Sequence, residues 1–128
     1  MIVWVAERAS LVVADDLIVA VDDQEVMDVV RQHGFECLLT SKGHRSGSDR
    51  VLEVASELGW KDEDVLVNVQ GDEPLLPTDI VNQLISFMKS GEDSGIEFAT
   101  VSEPLSDQSE FENPNCVKVV TDRDGVAR

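Results

Sequence analysis

Apolar residues recur along this chain in two rhythms. Short runs rich in apolar and β-branched residues occupy Leu17 to Val21, Phe35 to Thr40, Val65 to Gln70, Ile96 to Val101 and Cys116 to Thr121. Runs of that length and composition predict strands, and the unbroken hydrophobicity of Leu17 to Val21 predicts a buried parallel one. Between the runs the spacing changes to the helical period. Ile2, Val5, Ala6 and Ala9 share one face, as do Val26, Met27, Val29 and Val30. Two further faces combine Val51, Leu52, Val54, Ala55 and Leu58, and then Ile80, Val81, Leu84, Ile85 and Met88. A short helix is expected around Asp107 to Phe111.

The punctuation agrees with this division. Asp22 or Asp23 caps the second helix and Gly34 stops it. Ser46, Gly47 and Ser48 form a turn at the start of the third, which Gly59 ends. Pro77 suits the first position of the fourth helix, Asp79 suits its positive end, and Asp93 falls in a solvated loop beyond it. Strands separated by helices are too far apart for hairpins. The expected fold is therefore α/β, a mostly parallel Rossmann-like sheet with helices on both faces. The first helix has no cap residue in front of it, and the turn Asp122 to Gly125 predicts a hairpin whose return strand has little chain left. Residues 1–128 are accordingly expected to form a single domain that is truncated.

Composition narrows the partners. The 128 residues carry a formal charge of −16, which repels nucleic acid and anionic membrane surfaces. A small anion could bind only through a metal or a local basic cluster. No apolar run is long enough to cross a bilayer and no signal peptide is visible. Cys37 and Cys116 lie far apart and show no metal-ligand spacing, so reduced thiols in a cytoplasmic protein are expected.

The candidate chemistry gathers at two places. Val65 to Pro74 reads as a buried strand that breaks on Gly71 and then presents Asp72 and Glu73. In open α/β sheets the carboxyl edge is where ligands sit, so Asp72 is a candidate ligand of a divalent metal on a nucleotide. On the local pattern alone, the ordinary role for such a residue is to satisfy the amides of its own turn. The other place is Ser41 to Arg50, a basic patch with Lys42, His44, Arg45 and Arg50. Its Ser/Gly turn at a helix start can cap the helix or bind an anion. His44 has no second His or Cys at ligand spacing.

The segments SGSDR at Ser46 to Arg50, NVQGDEP at Asn68 to Pro74 and FENPNCVKVV at Phe111 to Val120, with AVDD at Ala20 to Asp23, resemble the CMP-KDO synthetases, or 3-deoxy-manno-octulosonate cytidylyltransferases. The motifs stand in family order, and the resemblance covers essentially the whole chain. It implies a nucleotidyltransferase domain that couples CTP to the sugar acid KDO, giving CMP-KDO and pyrophosphate for lipopolysaccharide synthesis. It implies Mg2+ as cofactor, with Asp72 as a ligand. It also implies that Gln70 faces the sugar acid, that Ser46 and Gly47 lie near the nucleotide base, and that Arg50 supports their loop.

The resemblance also implies parts this chain does not match: a first strand with a glycine-rich basic loop that grips the triphosphate, and a long C-terminal part with a second magnesium carboxylate. The chain alone is therefore expected to be impaired or inactive. The family's first strand is central, between those matching Leu17 to Val21 and Val65 to Gln70. Its loss is expected to be met by direct pairing of those two strands, by a strand from a neighbouring chain, or by assembly with a missing fragment. Self-association or strand exchange is thus expected. The alternative is a non-catalytic ligand-binding or assembly module with an acidic pocket from Asp22, Asp23 and Asp72. A receiver-type module would want a lysine at the end of its last strand, and Lys118 lies inside one.

Overall fold

Val19 and Val21 lie on one side of the first strand and Ile18 and Ala20 on the other, and this division organises the N-terminal part of the molecule. The structure is a computed structural model that describes residues 1–91 and 95–127. Asp93 lies outside the described residues. The chain divides into two units, Met1–Phe98 and Ala99–Arg128.

In the first unit, α1 (Ile2–Ala9) precedes β1 (Ile18–Val21), α2 (Gln24–Gln32), β2 (Glu36–Leu39), α3 (Gly47–Leu58) and α4 (Thr78–Ser90). β1 and β2 pair in parallel, with Ile18 opposite Glu36 and Val21 opposite Leu39. α2 is the crossover between them, a βαβ unit. Its start is set by Asp23, whose carboxylate accepts the Glu25 amide at 2.8 Å and the Val26 amide at 3.3 Å. Val19, Val21, Met27, Val30 and Cys37 pack with Ala6 of α1 into one core cluster. Burial pushes the Cys37 thiol up from its ordinary value. A second cluster joins Ala9 to Leu76 and to Val81 and Ile85 of α4, with Val12, Leu17 and Val69 against it. Arg8 fastens this side by donating to the Leu76 carbonyl at 3.1 Å. Pro77 stands one residue before α4 rather than within it, and its carbonyl accepts the Ile80 amide at 3.0 Å.

The second unit holds α5 (Gln108–Glu112). Asp107 caps it by accepting the Glu110 amide at 3.0 Å, and Glu110 reaches back to the Ser106 amide at 2.7 Å. This is the reciprocal logic of a capping box, moved one residue outward. The turn Asp122 to Gly125 does bring the chain back, through an isolated antiparallel bridge between Thr121 and Ala127.

Three expected strands are not paired. Among the described residues, Val65 to Gln70, Ile96 to Val101 and Cys116 to Thr121 form no ladder beyond that single bridge. Nor do Val65 to Gln70 and β1 pair directly with each other, so that way of closing the sheet is excluded. The physical reason is that a helix satisfies its peptide groups within itself, whereas a strand needs a neighbour. The apolar side chains of these segments are correspondingly open: Phe98 is 82% exposed and Val117 96%.

Val30 has no solvent exposure. Val30→Ala is expected to destabilise the first unit by about 2 kcal/mol, the transfer term of the lost methyl groups plus part of a cavity. The urea midpoint of helical circular dichroism should fall accordingly, and an unchanged midpoint would place the core elsewhere.

Candidate functional site at the carboxyl edge

Three chain segments end at the same place. Asp22 follows β1, Thr40 follows β2, and Gln70 to Asp72 end the third apolar run. The N-terminus of α3 collects all three. Ser46 caps that helix with its hydroxyl accepting the Asp49 amide at 3.1 Å. Arg50, one turn in, donates Nη2 to Asp22 at 2.7 Å and Nη1 to the hydroxyl of Thr40. Thr40 is buried, and its own hydroxyl and amide both donate to the Val21 carbonyl, at 2.8 and 2.7 Å. The guanidinium therefore binds the tips of both strands to the helix. Both of its terminal nitrogens donate to protein, so Arg50 holds the loop in place.

Gln70 reaches the same helix start by packing. A methyl group on Gly47 would lie 2.9 Å from Gln70 Nε2 and 3.3 Å from its Oε1, so the carboxamide rests directly on this glycine and would have to shift to admit a side chain. Asn68, two residues back and on the same side of the segment, has its Nδ2 3.5 Å from the Ser48 hydroxyl. On the far side of the turn, a methyl group on Gly71 would approach Ile2 Cδ1 of α1 to 3.0 Å. The tip Gln70 to Asp72 is thus held between α3 and α1. Ser46, Gly47 and Gln70, picked from separate motifs, come together in one place.

Asp72 projects from this tip and is exposed. The turn beneath it is closed by the backbone, the Glu73 amide donating to the Gln70 carbonyl at 3.3 Å. Among the described residues the Asp72 carboxylate accepts no turn amide. It is available to a ligand. Asp22 and Asp23 are not, since one pairs with Arg50 and the other caps α2. No group of three His, Cys, Asp or Glu able to hold an ion is present among the described residues. The acidic pocket expected from Asp22, Asp23 and Asp72 is therefore not formed.

The loop before α3 has its own anchor, which the sequence did not suggest. Glu53 stands one turn after Arg50 on the same face. It accepts the Ser41 amide at 3.1 Å and contacts His44 Nε2. The His44 hydrogen bond, and then the Ser41 amide, hold the Glu53 carboxyl below the ordinary glutamate range. His44 is thus engaged with Glu53 rather than with a metal. Lys42 and Arg45 remain exposed, with no ion pair among the described residues. The sequence signal for Glu53 and Thr40 was weak, because each matters only through a partner distant along the chain.

A small parallel sheet between helices is the architecture of an α/β domain, and comparison with a solved structure places it in the nucleotidyltransferase fold class. The fold of CMP:2-keto-3-deoxy-manno-octonic acid synthetase complexed with CTP matches with a TM-score of 0.66 and 33% identity, over 74% of this chain and 38% of that one. The chain belongs to the cytidylyltransferase family, whose model matches residues 1–128. It is 47% identical over 127 residues to the 3-deoxy-manno-octulosonate cytidylyltransferase of Saccharophagus degradans, a match covering 99% of this chain and 49% of the relative. The chain thus spans about half the length of that curated relative. No helix among the described residues is long and apolar enough to cross a membrane.

The Glu53 anchor has a defined pH dependence. A depressed carboxyl contributes its tie above the ordinary glutamate value and loses it as pH falls through the lowered folded value. The step in the Ser41 amide resonance that reports Glu53 protonation should therefore fall below the ordinary glutamate range. Glu53→Gln should remove that step. A midpoint at or above the ordinary value would contradict the assignment.

Proposed function

We propose that this chain carries the nucleotide- and sugar-facing part of a Mg2+-dependent cytidylyltransferase that couples CTP to KDO, giving CMP-KDO and pyrophosphate for lipopolysaccharide synthesis. One observation carries the reading: Gln70 packs on Gly47, so that the Ser46–Gly47 turn and the tip bearing Asp72 stand side by side at the carboxyl edge. In that reaction the anomeric hydroxyl of the sugar acid attacks the α-phosphate of CTP and pyrophosphate leaves. The Ser46–Gly47 turn lies against the base. Gln70 orients the sugar acid by hydrogen bonds from its carboxamide. Arg50 keeps the turn in place through Asp22 and Thr40.

Asp72 is the candidate magnesium ligand. A single exposed carboxylate suits Mg2+ shared with phosphate oxygens, which uses one or two carboxylates and retains waters. It does not suit a cage made of protein alone. When bound, Mg2+ would neutralise phosphate charge and so lower the barrier to displacement.

Lys42 and Arg45 add the uncommitted positive charge of this loop, against a chain charge of −16. Two cations and one carboxylate are a thin grip on a triphosphate, which supports weak or absent turnover by this chain alone. The exposed Phe98, Val117 and Val120 support a form that self-associates or exchanges strands. Two free cysteines and the lack of a spanning helix among the described residues are compatible with work in the cytoplasm.

Calorimetry of CTP with and without Mg2+ tests the reading. Binding is expected to depend on Mg2+, and Asp72→Asn should weaken it roughly ten- to a hundredfold, the loss of a charge-assisted contact of about 1.5–3 kcal/mol. CTP binding that ignores both Mg2+ and Asp72→Asn would overturn the metal role. No CTP binding at all would overturn the nucleotide role.

A further inference from the structure

The loop that leads from β2 into α3 has little structure of its own. Among the described residues, Ser41 to Arg45 make no backbone–backbone hydrogen bond. The ends of the loop are secured, Thr40 by the Arg50 guanidinium and Ser46 by its place as the cap of α3. Between them the Gly43 amide donates to the Ser41 hydroxyl at 3.1 Å, and Arg50 reaches the Ser41 carbonyl only at 3.4 Å. The remaining ties converge on one carboxylate, that of Glu53.

Glu53 stands on α3, about two turns beyond the cap. Its Oε2 accepts the Ser41 amide at 3.1 Å and contacts His44 Nε2, and its Oε1 lies 3.2 Å from the same amide. An ionised carboxylate only accepts, so Nε2 of His44 is the donor. The helix thus holds the loop that precedes it at two points, Ser41 and His44. The groups offered to the nucleotide leave the chain next to those points. Lys42 follows Ser41, Arg45 follows His44, and Ser46 comes directly after Arg45.

We propose that Glu53 and His44 are positioning residues for the nucleotide, a strap that presets the Ser46–Gly47 turn and the stems of Lys42 and Arg45 before a ligand arrives. The inference rests on the nucleotide reading of that turn. The His44 Nε2 and the Glu53 carboxylate are engaged with each other and with the Ser41 amide, so they act through the loop rather than by contact. A loop without backbone ties would otherwise have to be ordered on binding, and the entropy lost would come out of the affinity. Ordering it beforehand through a single carboxylate removes that cost. The strap involves no residue of either core cluster, so releasing it should free the loop and leave the first unit folded. A role confined to holding up α3 is the competing explanation, and it makes no demand on the donor at position 44.

Calorimetry of CTP with Mg2+ on the full chain, beside amide spectra of residues 43–47, tests the strap in Glu53→Ala, His44→Ala and His44→Gln. Both alanine variants are expected to bind CTP about tenfold more weakly, which corresponds to a turn competent about one-tenth of the time. Their amide resonances at residues 43–47 should shift and broaden while the urea midpoint of helical circular dichroism holds. His44→Gln keeps a side-chain donor for Glu53 and should recover most of the affinity. Unchanged CTP affinity in both alanine variants would overturn the positioning role and leave the nucleotide reading standing. Equal weakening in His44→Gln and His44→Ala, or weakening that only follows a fallen urea midpoint, would show a merely structural role and also overturn it. Absence of CTP binding by the unaltered chain would overturn the nucleotide reading and the positioning role with it, so the unaltered chain tells the two failures apart.

Discussion

The guanidinium of Arg50 is the contact on which the site depends. It is half-buried, and it bonds to Asp22 beyond β1, to Thr40 beyond β2, and more distantly to the Ser41 carbonyl at 3.4 Å. The partners belong to two segments, the one that follows β1 and the one that follows β2, and Arg50 joins both to the start of α3. Asp22 is about half exposed, so the ion pair is screened and contributes modestly to stability, on the order of 1 kcal/mol. Its importance is geometric. A planar fork with several donors fixes direction as well as distance, which a lysine cannot do. Fixing α3 in turn fixes Gly47, against which the Gln70 carboxamide rests.

How much of this could be read from the sequence follows from how far each feature reaches along the chain. The helices were legible because their periodicity and caps are local. Asp23, Ser46 and Asp107 cap helices close to where the pattern put them. β1 and β2 were legible because one short crossover helix brings them together. Val65 to Gln70 has an equally strand-like composition yet forms no ladder, because composition does not supply a neighbour. The same holds for Val117 to Val120, whose valines stand largely in solvent.

The candidate site divides in the same way. Ser46 was visible as a helix cap, and Asp72 as an acid at the end of an apolar run. The contact between Gln70 and Gly47 was not visible, since it spans two segments more than twenty residues apart along the chain. Arg50 itself looked like part of a basic patch, and its commitment to Asp22 and Thr40 is a tertiary fact. Glu53 looked like one more acid on a helix in a chain of charge −16. Only the fold shows that it anchors Ser41 and His44 while Lys42 and Arg45 stay open.

The incomplete sheet and the open site are two aspects of one constraint. The segment ending in Asp72 is held at its tip by Gly47 and Ile2 and packs through Val69 against the α4 cluster, but its backbone has no ladder. A segment held by side chains alone keeps more freedom than one locked into a sheet, and catalytic geometry tolerates little freedom. The carboxyl edge can therefore gather the right groups and still present them loosely. The uncommitted cations Lys42 and Arg45 lie on the loop at the carboxyl edge, and the acids Asp15, Asp16, Glu63 and Asp64 line the opposite end.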